Sequence, residues 1–205
     1  MTNNELIRDF WGFFGMEQVL EEGTGPDKPL KLRGLISEAD VFNRNNRIYP
    51  HKILANEVKR LQKVIVEEGF LAGELDHPDT PTINLRNASH KLTKIWMEGK
   101  KVYGEFIVVD TPAGRTVKDL MREGFKVRVS SRATGILTPI QEGKYLVGDT
   151  LKIVCWDIVS NPSFINAVPG VVTEGISTDA QERLQSYVNE DHFLAALKYA
   201  LKNRK

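Results

Sequence analysis

A serine pair and an arginine end a short apolar stretch in the middle of the chain and could supply the nucleophile of a hydrolase. The stretch reads Val129-Ser130-Ser131-Arg132, with Gly135 just behind it. The β-branched approach predicts a strand end, where a hydroxyl can be presented to a substrate. Serine pairs in strands also commonly hydrogen-bond to backbone alone. Ser130 is therefore a candidate nucleophile that needs a partner.

A histidine that could activate this serine lies upstream, in Gly73-Glu74-Leu75-Asp76-His77-Pro78. Pro78 forbids helix and favours an extended, rigid segment at His77. A serine hydroxyl is a poor nucleophile until a neutral imidazole takes its proton. The two segments together predict a Ser130–His77 pair brought together by the fold.

An aspartate in an apolar strand could complete this pair. Asp157 lies between Trp156 and Ile158, shortly before Asn161-Pro162-Ser163. A catalytic histidine needs a group that fixes its tautomer and stabilises its charged form, and an aspartate on a neighbouring strand would do so. The alternative is a strand-edge aspartate that faces water. Asp76 is a weaker candidate, because adjacent residues of a strand point to opposite faces.

The elements that must position these residues follow from hydrophobic periodicity and turn residues. We predict an N-terminal helix over Glu5–Phe14, a core-packing helix from Pro50 through Glu68 capped by Gly69, a hairpin over Lys91–Asp110 with its turn at Glu98-Gly99-Lys100, a helix from Thr111-Pro112 to Gly124, a second hairpin around Gln141-Glu142-Gly143, and a buried strand over Thr150–Val159. The fold class is α+β, with several antiparallel strands and helices packed around them.

Composition excludes some classes of protein. The 205 residues fit one domain, and 28 Lys+Arg against 27 Asp+Glu leave a net charge of +1, which provides no global field for nucleic acid or a membrane surface. A single cysteine cannot form an internal disulfide. No long apolar run predicts a signal peptide or a membrane span. We expect a protein made in the cytosol.

Four ordered blocks of this sequence resemble the prohead (capsid maturation) serine proteases of tailed phages, myovirus type. They are Val41-Phe42-Asn43-Arg44-Asn45-Asn46-Arg47-Ile48-Tyr49-Pro50, Gly73-Glu74-Leu75-Asp76-His77-Pro78, Lys101-Val102-Tyr103-Gly104, and Val129-Ser130-Ser131-Arg132 with Gly135. The family's histidine and first serine fall on His77 and Ser130, and the position of Asp157 resembles its acidic third member. The resemblance implies a mostly antiparallel β-barrel related to the herpesvirus maturation proteases.

The resemblance also implies an activity: an endopeptidase that cleaves scaffold and capsid proteins, and itself, inside the assembling procapsid in the host cytoplasm. It implies no metal or organic cofactor and no direct contact with nucleic acid or membrane, and it leaves a homo-oligomer open. Because the herpesvirus enzymes use a second histidine, His90 is the alternative third member. Ser131 and Arg132 are candidates to support the oxyanion, Arg132 through its backbone or a held water, although a surface salt bridge is an alternative for Arg132.

The family's preference for cleavage after glutamate, with an aliphatic residue two places earlier, predicts self-cleavage between Glu174 and Gly175 and between Glu22 and Gly23. Both bonds lie in linker-like segments. We therefore expect an N-terminal helix and linker over residues 1–28, a protease domain over 29–170, and a linker and C-terminal helix over 171–205 that self-cleavage would remove.

Two other classes of protein remain open from the sequence. One is a non-enzymatic scaffold or assembly protein in which the serine and histidine are structural. The other is a metal-dependent hydrolase that uses Glu74, Asp76, His77 and Asp79, although a single histidine among carboxylates is a thin ligand set for a transition metal.

Overall fold

The computed structural model of the chain describes residues 5–10, 17–19, 29–125, 127–141 and 143–159. The elements are β1 (Glu5–Phe10), β2 (Glu17–Val19), β3 (Lys31–Glu38), β4 (Arg47–Ile48), α1 (His51–Glu68), β5 (Leu71–Glu74), a 3-10 turn (Leu85–Asn87), β6 (Ala88–Glu98), β7 (Lys101–Val108), α2 (Pro112–Arg122), β8 (Arg128–Gly135), β9 (Leu137–Gln141), β10 (Lys144–Val147) and β11 (Lys152–Val159). The predicted C-terminal linker and helix lie outside these ranges.

The largest sheet has five antiparallel strands in the order β2-β3-β7-β6-β5. Helix α1 packs on β6 through one buried stripe, made of Leu54, Val58, Leu61 and Ile65. The helix begins after Pro50 and ends at Gly69, whose φ of 84° is a left-handed conformation that suits glycine. The helix from Pro50 and the β6–β7 hairpin with its turn at Gly99 are confirmed.

A second sheet, in the order β1-β8-β11, carries the candidate nucleophile on its central strand. Both pairings are antiparallel. The predicted N-terminal helix is wrong for Glu5–Phe10, which forms β1 and pairs residue by residue with β8. A short isolated helix is costly to nucleate, whereas the free edge of β8 offers backbone partners and Ile7 is completely buried there. Residues 11–14 lie outside the described part.

Helix α2 leads the chain into this second sheet. Thr111 caps it by accepting a hydrogen bond from the Gly114 amide, and Pro112 occupies its first turn, as predicted. The predicted second hairpin is present as β9–β10, which forms a third small sheet with β4. The predicted strand before Val159 is β11.

The α+β class and the mostly antiparallel arrangement are confirmed. Within the described residues the strands form three sheets, none of which closes on itself as a barrel. An isolated bridge between Leu75 and Ile158 connects β5 to β11, where the first two sheets meet. The pairing stops there because Asp76, with a φ of 63°, turns the chain out of the strand.

Candidate active site

One face of the β8–β11 pair gathers four polar side chains. Ser130 lies directly opposite Asp157 in the antiparallel register, and Arg132 lies opposite Cys155. Because side chains alternate along a strand, all four point to the same face. Ser130 lies inside β8 rather than at a strand end as predicted, since the strand continues to Gly135. The backbone at Ser130 is therefore paired on both sides, with β1 and with β11.

The end of β5 delivers His77 onto this face. The Leu75 amide donates to the Asn87 carbonyl (3.0 Å) and the Asp76 amide donates to the Ile158 carbonyl (2.8 Å). The left-handed backbone at Asp76 then redirects the chain between these anchors and Pro78. Aspartate tolerates this conformation better than most residues, because its short polar side chain can hydrogen-bond locally. The turn places His77 over the face of the β8–β11 pair that carries Ser130 and Asp157.

A hydrogen-bonded chain connects the three predicted residues. His77 Nδ1 lies 2.8 Å from Asp157 Oδ2, and His77 Nε2 lies 2.5 Å from Ser130 Oγ. An ionised carboxylate only accepts hydrogen bonds, so Nδ1 carries the proton and Nε2 is left to accept from the serine hydroxyl. This tautomer is the one in which an imidazole can take the proton of a serine nucleophile. About a fifth of the His77 side chain is exposed, so solvent reaches the imidazole, whereas Ser130 is buried.

Asp157 is completely buried but surrounded by donors. Burial by itself would raise its pKa, yet the hydrogen bonds from His77, from the Glu74 amide (3.1 Å) and from the Cys155 thiol (3.2 Å), together with the charge of Arg132, lower the pKa below the ordinary aspartate value. Hydrogen bonds and an opposite charge favour the ionised form. Asp157 is therefore a carboxylate under the conditions in which a histidine can act as a base.

Arg132 lies behind Asp157 and not at the surface. Its side chain is fully buried, with Nε 3.0 Å from Asp157 Oδ2 and Nη2 2.7 Å from Glu74 Oε1. Nη1 donates to the carbonyls of Thr80 (2.7 Å) and Thr82 (3.2 Å). The alternative of a surface salt bridge is wrong, because the guanidinium is fully buried. Support of the oxyanion through the Arg132 backbone or a held water stays a prediction.

Ser131 is buried on the opposite face of β8, together with the core residues Val129 and Ala133. The alternation of side chains along the strand separates its hydroxyl from His77. The Ser131 side chain therefore lies on the other side of the strand from His77, and support of the oxyanion by Ser131 stays a prediction.

His90 occupies a separate buried site on β6. Its Nε2 donates to the Trp156 carbonyl (2.8 Å), and its Nδ1 accepts from Ser89 Oγ (2.9 Å). Burial lowers the pKa of His90 to about 4, although the Trp156 carbonyl and the charge of Asp157 oppose that shift. The two ring nitrogens are thus used by Ser89 and Trp156, whereas Asp157 contacts His77. The geometry favours Asp157 over His90 as the third member.

The residues considered for a metal site point to different partners. Glu74 pairs with Arg132, Asp79 pairs with Arg8, and Asp76 is exposed. In the described ranges no three histidine, cysteine or acidic side chains gather as a potential metal site. The candidate self-cleavage residues Glu22, Gly23, Glu174 and Gly175 lie outside the described residues.

Two residues contact the Ser130–His77–Asp157 chain, or its neighbour Arg132, although the sequence analysis did not connect them with it. Cys155 donates to Asp157, and Glu74, considered only as a metal ligand, holds Asp157 through its amide and Arg132 through its carboxylate. Neighbouring Gly73 carries a related signal: a Cβ there would lie 2.5 Å from the Trp156 carbonyl, so β5 approaches β11 closely. The sequence signal for this contact was Gly73 followed by Glu74 in an otherwise apolar strand.

Comparison with known proteins identifies relatives of the chain. A family model described as prohead core protein serine protease matches residues 15–181. The chain is 32% identical, over 195 residues, to the prohead core protein protease of Enterobacteria phage T4, which covers 88% of the chain and 91% of that protein. The structure of the bacteriophage T4 capsid assembly protease superposes with a TM-score of 0.67 at 29% identity, and the match covers 78% of the chain and 99% of the phage T4 structure.

Proposed function

Because the chain belongs to the family of prohead core protein serine proteases, we propose that it is a serine endopeptidase that cleaves scaffold and capsid proteins during prohead maturation. The observation that carries the proposal is the continuous contact from Ser130 Oγ through His77 to the Asp157 carboxylate. A nucleophile, a base and a group that orients the base are the three parts that acyl transfer to serine requires.

The chemistry follows from the protonation states of this chain of contacts. His77 Nε2 takes the hydroxyl proton as Ser130 Oγ attacks the scissile carbonyl, and the resulting imidazolium is stabilised by Asp157. The same proton then passes to the leaving amine, which departs and leaves an acyl-enzyme on Ser130. Water, deprotonated by His77, releases the acyl group and restores the serine. No metal or organic cofactor is needed for any of these steps.

The relatives support the proposed substrates and location. The T4 relatives are named as a prohead core protein protease and a capsid assembly protease. By analogy, this chain would act inside the assembling procapsid, in the host cytoplasm, on scaffold and capsid proteins. No helix in the described ranges is long and apolar enough to cross a membrane. The relation to the herpesvirus protease barrel stays a prediction.

The deciding experiment is incubation of the purified chain with a capsid or scaffold substrate, followed by mass spectrometry of the products. Ser130→Ala should abolish cleavage and keep the native fold, because it removes one hydroxyl. Ser131→Ala is the matched control: it removes the same group from an equally buried neighbour on the opposite face, and the loss should be much smaller. Undiminished cleavage by Ser130→Ala would refute the proposed nucleophile.

Two further outcomes separate the alternatives. His77→Ala should be as inactive as Ser130→Ala, and the double variant hardly worse, because the pair acts as a unit. Loss of cleavage with a chelator would indicate a metal-dependent hydrolase instead. A wild-type chain that cleaves nothing but still co-assembles with capsid protein would indicate a scaffold protein.

Self-processing is a separate part of the proposal. New amino termini at Gly175 or Gly23, absent in Ser130→Ala, would support cleavage after Glu174 or Glu22. An intact wild-type chain under conditions where it cleaves another substrate would contradict it.

A further inference from the structure

A buried ion pair that the proposed chemistry does not use lies beside the catalytic aspartate. Glu74 and Arg132 both have fully buried side chains and are 2.7 Å apart. On the premise of the proposed function, we propose that Glu74 and Arg132 are positioning residues. Together they set the net charge of the buried group that contains Asp157, the partner of His77, and they hold in place the loop that follows His77.

The first step is the charge balance. Arg132 is shared by two carboxylates, since it lies 2.7 Å from Glu74 and 3.0 Å from Asp157. With both acids ionised, this buried group carries one net negative charge. Without Glu74, Arg132 would neutralise Asp157 entirely. Glu74 thus keeps Asp157 able to stabilise a positive His77, because a negative charge in a buried site favours the imidazolium.

The other charged or titratable groups around His77 and Asp157 do not replace this effect. Cys155 donates to Asp157, but burial and the Asp157 charge raise its pKa, so the thiol is neutral. His90 also lies near Asp157, and its lowered pKa of about 4 keeps it neutral. Arg8 is paired with Asp79. In this cluster the Arg132 side chain contacts the carboxylates of both Asp157 and Glu74, and Glu74 contacts Asp157 through its backbone amide.

The second step is the loop that follows His77. Arg132 Nη1 donates to the carbonyls of Thr80 and Thr82, and Glu74 Oε1 accepts from the Asn84 amide at 3.0 Å. These three backbone contacts attach residues 80–84 to β5 and β8. The planar five-donor guanidinium is needed here because a lysine ammonium cannot span two carbonyls and two carboxylates at once. Both members of the ion pair therefore hold the loop: Arg132 holds Thr80 and Thr82, and Glu74 holds Asn84.

Two variants separate charge from geometry. Glu74→Gln keeps the size and the hydrogen-bonding capacity but removes the charge, so His77 should lose its proton more easily. The acid limb of the kcat/KM–pH profile should move to lower pH by about one unit, the scale of one nearby charge at an effective dielectric constant of about 20. Arg132→Lys keeps the charge and loses the fork. Its acid limb should stay in place while kcat falls about 100-fold and KM changes little, since a misplaced base slows the chemical step.

Glu57→Gln is the matched control. Glu57 is also buried, also pairs with an arginine (Arg60, 2.7 Å), and also accepts a hydrogen bond from a backbone amide, that of Ile153 (2.9 Å). It has no contact with the triad among its described hydrogen bonds and ion pairs. Its loss should lower the melting temperature and leave both kcat and the pH profile unchanged.

An NMR titration of the His77 imidazole, assigned with His77→Ala, keeps the test independent of proteolysis. In a Ser130→Ala background, adding Glu74→Gln should lower the His77 pKa by about one unit, as in the kinetic profile. If wild type cleaves nothing but this shift appears, the proposed function fails and the coupling stands. If wild type cleaves and Glu74→Gln behaves like Glu57→Gln in pH profile and NMR, the positioning role is overturned. Full activity of folded Arg132→Lys would overturn the loop role.

Discussion

Two serine–histidine pairs are hydrogen-bonded in the described part of the chain, and their surroundings differ. Ser130 contacts Nε2 of His77, and Ser89 contacts Nδ1 of His90. In both pairs a neutral imidazole accepts a hydrogen bond from a serine hydroxyl. A serine beside a histidine is therefore not by itself an indication of a nucleophile.

The pairs differ in what holds the other ring nitrogen. His77 donates to the Asp157 carboxylate, whereas His90 donates to the backbone carbonyl of Trp156, the residue just before Asp157. A carboxylate stabilises the imidazolium that forms when the histidine takes a proton, but a carbonyl dipole stabilises it far less. A shift of one residue along β11 thus separates the partner of the proposed base, His77, from the partner of the buried His90.

The pairs also differ in access to solvent. His77 is partly exposed, but Ser89 and His90 are almost completely buried, and Gly73 leaves no room for a side chain beside His90. The His90 pair connects β6 to β11 and supports the strand that carries Asp157, while the His77 ring is in contact with solvent.

The largest expected difference between the two pairs is in turnover. Asp157→Asn keeps the size of the side chain but removes the charge that orients His77, and kcat should fall on the order of ten-thousand-fold, the effect known for a triad aspartate. His90→Gln, assayed for kcat on the same substrate, should stay within a few-fold of wild type. A larger loss in His90→Gln than in Asp157→Asn would favour the herpesvirus-like triad.

Stability against pH should distinguish His90. Its pKa of about 4 in the folded chain lies below the value of about 6.5 expected when unfolded, so the unfolded chain binds a proton first as the pH falls. The free energy of unfolding should drop by about 3 kcal/mol between about pH 6.5 and 4, and His90→Gln should remove most of this dependence. Urea denaturation at several pH values measures it. Asp157, whose pKa is lowered, contributes a further loss only below about pH 4.

The turn before His77 should be more sensitive to side-chain shape than the regular strand around His90. A β-branched residue is strained at the left-handed φ of Asp76, so Asp76→Val should destabilise the chain by about 1–2 kcal/mol and lower kcat as His77 shifts. Asp76→Asn should be close to wild type in both measurements. Equal behaviour of the two variants in urea denaturation and turnover would contradict the proposed importance of the turn.

The smallest effect should come from Cys155, which has no counterpart in the His90 pair. Cys155→Ala removes one weak donor to Asp157 and should cost about 1 kcal/mol or less, with a decrease in kcat of less than tenfold. A loss comparable to that of Asp157→Asn would indicate that the thiol has a larger part than a supporting hydrogen bond.

Local patterns in the sequence were sufficient for much of the fold. Proline and glycine at the ends of α1, the capping threonine of α2 and the Gly99 turn act over a few residues, so their effects can be read without the tertiary structure. The segment Glu5–Phe10 could not be predicted in this way, because the available edge of β8 outweighs a local apolar pattern. The expectation of a barrel came from the family resemblance. The strand register that divides the strands into separate sheets depends on contacts between distant parts of the chain, so no local pattern predicts it.

At the site, the sequence determined which residue types were present, and Ser130, His77 and Asp157 were chosen from it; their catalytic roles stay predictions. Only the tertiary structure decided that Asp157, and not His90, hydrogen-bonds to His77. It also decided that the Arg132 side chain is buried and paired with Glu74. Both depend on strand register and on the bulge before Cys155, which place side chains from β5, β8 and β11 on one face. A shift of one residue would send each side chain to the other face, and no pattern within a single strand encodes its alignment with the others.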